Sequence, residues 1–493
     1  MTLSRTLNHV AAEHSSMIAV EQGAHRMTYT GLYRKAAQID LLLDRLPDAS
    51  GPVTVMCRSA LNAIPIMIAC VMSGRSYLPV DVANPPRRVE QLMRRSGSVR
   101  LVSDCLRDAY GTFLTSPSRL DSQMQVCSLR GAVPDASPAL VQWAYHLYTS
   151  GSTGTPKGVL HTSSDIVNMV KAYTGSITLG EKDRVAMLSS LGHDAAVVDV
   201  YSCLLTGATL VAVDASSPLS LKTEVPRVLR SGVTVWHCVP TVLDMVASQF
   251  SGEGLNDLRV VLGGEPVSRA TLENLWVRVP SARIFSLYGQ TECSVISGKW
   301  IEPDDTALTL GDPLKGVEWR EGQGSGNGPH HLLVRSDAAA THRVVDGDPL
   351  PLENCDGWFD TGDVVTAHGN SFTFLGRADQ VVNIGGCRVD ILEVEEHVKK
   401  CPGVEDCVVF LDDSGAPGPA LKCLARGGEN IAITDINAFL SKRVPRCGPC
   451  ASSHPKKSTS STTPSSHRSF SHKFVPRRRR PRHIHGLRPD SRP

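Results

Sequence analysis

The run Leu147-Tyr148-Thr149-Ser150-Gly151-Ser152-Thr153-Gly154-Thr155-Pro156-Lys157-Gly158 gathers hydroxyls, glycines and one lysine into a short loop behind an apolar stretch. Small residues let backbone N–H groups approach an anion, the hydroxyls add donors, and Lys157 adds positive charge. That chemistry suits a polyphosphate. The pattern is not a Walker A loop, because Pro156 precedes the lysine and Gly158 stands where Ser or Thr must follow. A plain Gly/Ser turn is the competing reading. Two hydroxyl–Gly steps and a Pro-Lys-Gly end, directly after a strand-like run, favour the phosphate loop.

Three acids and an arginine stand at similar punctuation. Glu292 follows Leu287-Tyr288-Gly289-Gln290-Thr291, an apolar run ending in a Tyr-Gly turn. A hard carboxylate there can hold Mg²⁺ on phosphates; without its neighbours it would read as a solvated loop acid. Asp363 sits on a Thr361-Gly362 turn, where a carboxylate can accept both hydroxyls of a ribose or close an Asx turn. Arg377, in Gly376-Arg377-Ala378-Asp379, could bond a sugar or phosphate, or make a salt bridge at a domain boundary. Asp194, in Leu191-Gly192-His193-Asp194-Ala195-Ala196-Val197, could meet a cationic ligand, as a buried acid requires. It could equally cap the helix expected over Val197–Leu205.

The elements that must hold these residues follow from short apolar runs alternating with helical patterns. Strands are expected at Val53–Cys57, Tyr77–Val80, Tyr145–Tyr148, Val185–Leu188, Thr209–Val213, Val233–Cys238, Leu258–Leu262 and Arg283–Leu287. Helices are expected at Ala60–Ser73 and from Pro85-Pro86 to Arg95, the latter opened by proline. Such alternation predicts a large α/β domain with mostly parallel sheets. Glu321–Pro329 reads as a Gly-rich connector. Beyond Asp379, a helix over Val389–Lys400 and a strand over Cys407–Leu411 predict a small α+β domain. The expected division is 1–377, 378–445 and a tail, 446–493.

The bulk numbers agree with an ordinary soluble chain of 493 residues, 41% hydrophobic and 20% charged. Its net charge of +2 is uneven. From Ser441 onward 14 Lys/Arg face one acid, Asp490, which leaves 37 basic against 48 acidic residues in the remainder. A mildly acidic body argues against nucleic-acid binding. The Ser-, Pro-, His- and Arg-rich tail has too few aliphatics to offset its ordering entropy, so disorder is expected there. Met1–Val10 lacks a signal-peptide core, and Ala60–Met72 is too short to span a bilayer of ~30 Å. The expected location is the cytoplasm, without membrane contact. The fourteen cysteines mostly sit in apolar runs as free thiols. Cys447 and Cys450 have CxxC spacing but no second ligand pair.

Taken in order, the phosphate loop, Tyr288-Gly289-Gln290-Thr291-Glu292, Trp358-Phe359-Asp360-Thr361-Gly362-Asp363 and Gly376-Arg377-Ala378-Asp379 resemble four motifs of the adenylate-forming superfamily. That superfamily contains acyl-CoA synthetases, luciferases and the adenylation domains of nonribosomal peptide synthetases. The resemblance is closest to amino-acid adenylation domains. It implies ATP and Mg²⁺, and formation of an acyl-AMP with loss of pyrophosphate. It places Thr149, Ser150, Gly151, Ser152, Thr153, Gly154 and Lys157 on the phosphates. Thr291 would lie on the α-phosphate, Glu292 on the metal, Tyr288 and Gly289 beside the adenine with Gly264, and Asp363 and Arg377 near the ribose. Asp379 would be the hinge of the small domain. Asp194 would meet a substrate ammonium, with His193 either gating the pocket or packed in the core. The remaining acid pocket would be Ala195, Val198, His237, Val261, Gly263, Leu287, Val295 and Ile296. That largely aliphatic lining with one imidazole suggests a small or medium side chain.

The chain departs from the family near its end. The Gly-Lys motif of the family's small domain is not readable; Lys473, in Ser471-His472-Lys473-Phe474, lies at a plausible distance from Asp379. Losing that charge implies a slower adenylation step. No phosphopantetheine-accepting segment is readable, so the acceptor thiol is expected in trans, from a carrier protein or coenzyme A. A coenzyme A ligase for an aryl or fatty acid, and a truncated nucleotide-binding chain without turnover, are the rival readings.

Overall fold

The structure is a computed structural model. It describes residues 2–46, 51–131, 143–149, 156–250, 255, 257–324, 330–345, 347–352, 356–378, 381–384, 387–399, 401, 404–412, 420–427 and 470–474. Ser150, Gly151, Ser152, Thr153, Gly154 and Asp379 lie outside the described residues.

Two nine-stranded sheets carry the large unit. The first is parallel through its centre, in the order Arg283–Gln290, Arg259–Gly263, Val235–Cys238, Arg184–Met187, Thr209–Ala212, Ile18–Gln22. Antiparallel strands close both of its edges. The second sheet is parallel only among Trp143–Thr149, Tyr77–Pro79, Val53–Met56 and Arg100–Ser103; its outer strands are antiparallel. The expected parallel character therefore holds at the sheet centres, where helices cover both faces.

Alternation along the strands sets the layers. In the first sheet Met187, Val261 and Phe285 face the main core, whereas Ala186, Trp236, Val260 and Ile284 face a second cluster. That outer cluster is closed by the helices Pro218–Arg230, Pro240–Val246 and Arg269–Trp276. The main core fills the space between the sheets with Leu3–Glu13, Tyr29–Asp44, Ala60–Met72, Ser163–Ile177 and Asp194–Thr206. The far face of the second sheet packs on Pro86–Ser96.

Two details show how the central helices are tied in. Pro65 lies inside Ala60–Met72 and has no N–H for the Leu61 carbonyl one turn back. Lys35 Nζ donates to that carbonyl at 3.2 Å. At the end of Asp194–Thr206, the Tyr29 hydroxyl lies within hydrogen-bond distance of the carbonyls of Cys203 and Ala208, at 2.9 and 2.8 Å, satisfying terminal acceptors.

An antiparallel sheet of Val317–Gly324, His330–Ser336, Phe359–His368 and Ser371–Arg377 docks on the edge hairpin of the first sheet. Leu332, Val334, Val365 and Phe372 pack there against Cys293 and Ile296. The first part of the expected Gly-rich connector, Glu321–Gly324, belongs instead to a strand, where Gly324 pairs with His330. Farther on come the pair Val381–Ile384 and Cys387–Asp390, the helix Ile391–Lys399, and the sheet Val404–Asp412, Ala420–Gly427, Phe470–Phe474. The last strand belongs to the stretch expected to be disordered, and its register places Lys473 opposite Lys422. Among the described residues no helix is long and apolar enough to cross a membrane. Ten cysteines of the described residues are free thiols, nine of them buried, as their apolar settings predict.

Candidate active site

The segment expected to bind phosphate connects the strands Trp143–Thr149 and Lys157–Thr162, whose register places Thr149 opposite Lys157. The Lys157 residue is exposed. A buried histidine stiffens the return strand. His161 stacks on Tyr145 at 4.8 Å with planes 15° apart. Its Nε2 lies 2.7 Å from the Thr291 carbonyl oxygen. A carbonyl only accepts, so Nε2 carries the proton and donates. The other nitrogen lies 3.6 Å from Asp165, the acid of a capping box with Thr162. His161 therefore links the lysine strand to the Thr291-Glu292 turn. Its partner lies 130 residues away, so local spacing carries no signal for it.

That turn joins Arg283–Gln290 to Ser294–Ile301. A Cβ at Gly289 would collide with the Ser294 carbonyl oxygen, which explains the glycine. Ser294 itself takes φ +58°. Cys293 N donates to the Gln290 carbonyl at 3.1 Å, and Ala340 N holds the Glu292 carbonyl at 2.8 Å. Gly264, also with φ +80°, follows Arg259–Gly263 at the same end of the sheet.

Asp363 lies in Phe359–His368 opposite Arg377, its neighbour on Ser371–Arg377. Only 3% exposed, its carboxylate accepts from three side chains. Arg377 donates to Oδ1 at 3.0 Å. Gln290 donates to Oδ2 at 2.6 Å, and the Tyr288 hydroxyl donates to Oδ2 as well. Both Arg377 and Gln290 also reach the Thr361 carbonyl, at 3.1 and 3.0 Å. Burial first, and then the nearby carboxylate, push the Tyr288 phenol well above its usual range. Of the open alternatives, the turn-closing role goes to Asp360, whose Oδ1 accepts from Gly362 N at 2.8 Å. Arg377 makes an ion pair within this cluster. Gln290, quoted in the motif without a role, is the contributor that sequence reading missed.

Asp194 opens the helix Asp194–Thr206, and His193 is the capping residue, without a side-chain cap bond. The N-cap alternative for Asp194 therefore does not hold. One oxygen accepts from Ala195 N at 2.9 Å and the other from the Thr291 hydroxyl at 3.3 Å. Asp194 thus stands beside the Thr291-Glu292 turn, half-buried at the positive end of a helix dipole.

Behind it lies a pair that the sequence reading half saw. His237 sits in the row of the first sheet between Met187 and Val261. Its Nδ1 lies 2.6 Å from Asp199 Oδ1, on the facing helix. Asp199 follows Asp194 inside a run of apolar residues, and a lone acid in such a run needs a partner; that was its signal. Burial raises the Asp199 carboxyl against the pull of His237. Burial pulls the imidazole down, and the Asp199 carboxylate outweighs it, leaving His237 above its usual range.

Of the other expected pocket residues, Val198, Val261, Leu287 and Val295 join the main core. His193, Ala195 and Gly263 are half-buried. Ile296, next to Val295 on a strand, points to the opposite face and packs with Leu332, Val334 and Phe372. Among the described residues no group of three or more His, Cys, Asp or Glu forms a metal cluster.

The profile of the AMP-binding enzyme family matches residues 7–320. Phenyloxazoline synthase MbtB of Mycolicibacterium paratuberculosis is 30% identical over 461 residues, 87% of this chain. The chain spans only 38% of the length of that relative. An L-proline–[L-prolyl-carrier protein] ligase of Streptomyces coelicolor is 26% identical, over 77% of this chain and 79% of the ligase. Among solved structures, a double mutant of o-succinylbenzoate CoA synthetase from Bacillus subtilis shares the fold. Its TM-score is 0.75 at 19% identity, over 90% of this chain and 92% of that one. The family match covers well over half of the sequence, and the chain belongs to the AMP-binding enzyme family of adenylate-forming ligases.

Proposed function

We propose that the chain activates an amino acid as its aminoacyl-AMP and passes it to a phosphopantetheine thiol in trans, on a carrier protein or coenzyme A. The observation that carries the amino-acid assignment is Asp194. It is half-buried beside Thr291, and no ion pair among the described residues engages it. A substrate ammonium would supply the missing cation. The name of the prolyl-carrier-protein ligase from Streptomyces coelicolor supports the same substrate class and acceptor.

The donor set fits Mg²⁺. This ion is usually held by one or two carboxylates together with substrate phosphates, and Glu292 is a single hard carboxylate on the turn beside Thr291. When bound, the ion supplies charge neutralisation on the polyphosphate. The chain's own residues do the rest. Lys157 and the loop Ser150–Gly154 grip the phosphates, and Asp363, held by Arg377 and Gln290, orients the ribose. The substrate carboxylate is already ionised, so no general base is needed. Its oxygen forms a bond to the α-phosphorus while the α–β bridging P–O bond breaks and pyrophosphate departs with the electron pair. Catalysis is positioning and electrostatics. The segment after Asp379 then turns about that residue to admit the thiol. An ATP-dependent ligase of this kind works in the cytoplasm.

Pyrophosphate exchange against panels of amino acids and of simple carboxylic acids tests the reading. Exchange is expected with an amino acid and is expected to fall at least 100-fold in Asp194→Ala, the scale of a lost electrostatic contact. Exchange with aryl or fatty acids, untouched by that substitution, would favour a coenzyme A ligase instead.

A further inference from the structure

Between His330–Ser336 and Phe359–His368 the chain leaves the docked antiparallel sheet and makes an excursion to which no role has yet been given. It first passes the Thr291-Glu292 turn, where Ala340 N donates to the Glu292 carbonyl at 2.8 Å. It then forms a hairpin of His342–Val345 and Asp348–Pro351, which adds to the edge of the second nine-stranded sheet. There Val344 pairs with Gly158, Arg343 with Val159 and His342 with Leu160. The stretch Ala340–Val344 therefore touches the Glu292 turn with one end and the Lys157 strand with the other. Four Cα steps reach at most about 14 Å, so this stretch bounds the separation of the two backbones.

The contact at Gly158 is close. A Cβ there would collide with Val344 Cγ1 and would lie 2.8 Å from Tyr148 Cζ. Tyr148 pairs with Gly158 from the opposite side, so side chains of both neighbouring strands meet over the glycine. Only a residue without a side chain permits that approach. Val344 is buried and packs with Trp143, Leu160 and Tyr148. The rest of the hairpin is fastened as well. At its base, Leu352 N donates to the Thr341 carbonyl at 2.9 Å. At its tip, Gly347 N donates at 2.8 Å to the Arg95 carbonyl, near the end of Pro86–Ser96.

We propose that the excursion Ala340–Pro351 is a brace that holds Lys157 and Glu292 at a fixed separation, and that Val344 is a positioning residue for the polyphosphate of ATP. This rests on the reading above that both residues act on the triphosphate. Lys157 belongs to the second sheet, and Glu292 to a turn of the first. His161 already ties the Lys157 strand to the Thr291 carbonyl. A single tie leaves the strand free to pivot about it; the brace adds a second and removes that freedom. Charges act on a polyphosphate without reorganisation only when their placement is set beforehand. AMP lacks the β- and γ-phosphates, so the brace matters for ATP and not for AMP.

The test is calorimetry of MgATP and of AMP binding to the full chain, with no acid present. Val344→Ala is expected to weaken MgATP at least about tenfold and to leave AMP within about twofold. Val344→Thr, which takes a single methyl from the contact, is expected to weaken MgATP selectively too, and it replaces the alanine variant if that one does not fold. In the Lys157→Ala background, Val344→Ala is expected to add little, because the brace works through the lysine. An equal further loss there overturns the proposal. Parallel weakening of MgATP and AMP also overturns it, since a general loss of packing would do the same. If Lys157→Ala weakens MgATP while both Val344 variants do not, the brace is refuted and the phosphate reading stands. If Lys157→Ala leaves MgATP binding unchanged, the phosphate reading is refuted and the brace with it.

Discussion

His161 and Gln290 illustrate what single residues add to motifs that are otherwise read from family likeness. Each fixes a group that would touch nucleotide: His161 holds the Thr291 carbonyl, and Gln290 holds Asp363. Replacing His161 with Phe keeps the stack on Tyr145 and removes the donor. An unmade buried hydrogen bond costs about 1–3 kcal/mol, so exchange should slow by roughly tenfold, mainly through KM for MgATP. A shift confined to KM for the acid would contradict this role. Gln290→Leu should weaken AMP binding by a similar factor, about tenfold, read by calorimetry. Neither residue was assigned from the sequence, because their partners lie 130 and 73 residues away. Residue type and local spacing carry no such information. Asp194 and Asp363 were legible as charged groups on turns, although the turn chemistry of the latter belongs to Asp360.

At the level of elements, apolar runs located the central strands and helices to within a residue or two. Val53–Met56, Ala60–Met72, Thr209–Ala212 and Val235–Cys238 all follow from buried residues at the right period. The sheet spanning Val317 to Arg377 was not recovered. Its strands are half-exposed, as in His330–Ser336, and the segments joining its paired neighbours are rich in glycine and asparagine. There the pattern is set by pairing partners rather than by an apolar run. The helix Asp194–Thr206 ends on Gly207 at φ +82°. A Cβ there would lie 2.6 Å from the His14 ring. Gly207→Ala should therefore destabilise the chain by at least about 1 kcal/mol, measured by denaturant unfolding. No change in midpoint would show that this helix end can move without cost.

For the molecule as a whole, acid sensitivity should trace to His146. It lies in Trp143–Thr149, fully buried, with neither ring nitrogen bonded. Burial lowers its pKa to about 3. The unfolded chain binds a proton at this site below about 6.5, while the folded chain does not. Stability from this group is thus complete above that pH and is lost as pH falls toward 3, by about 1.4 kcal/mol per unit. His146→Leu should flatten the decline between those limits in pH-dependent unfolding; an unchanged slope would place the cause elsewhere. His161 of one nine-stranded sheet reaches the carbonyl of Thr291 on the other, and the Thr291 hydroxyl reaches Asp194. The docked antiparallel sheet adds Asp363 and Arg377. Convergence of segments from three sheets, rather than any one motif, underlies the claim of acid activation. Amino-acid-dependent pyrophosphate exchange by the unaltered chain beside Lys157→Ala and Glu292→Ala measures it. The account predicts that each variant loses about 100-fold or more in kcat while remaining folded, and equal exchange by all three would contradict it.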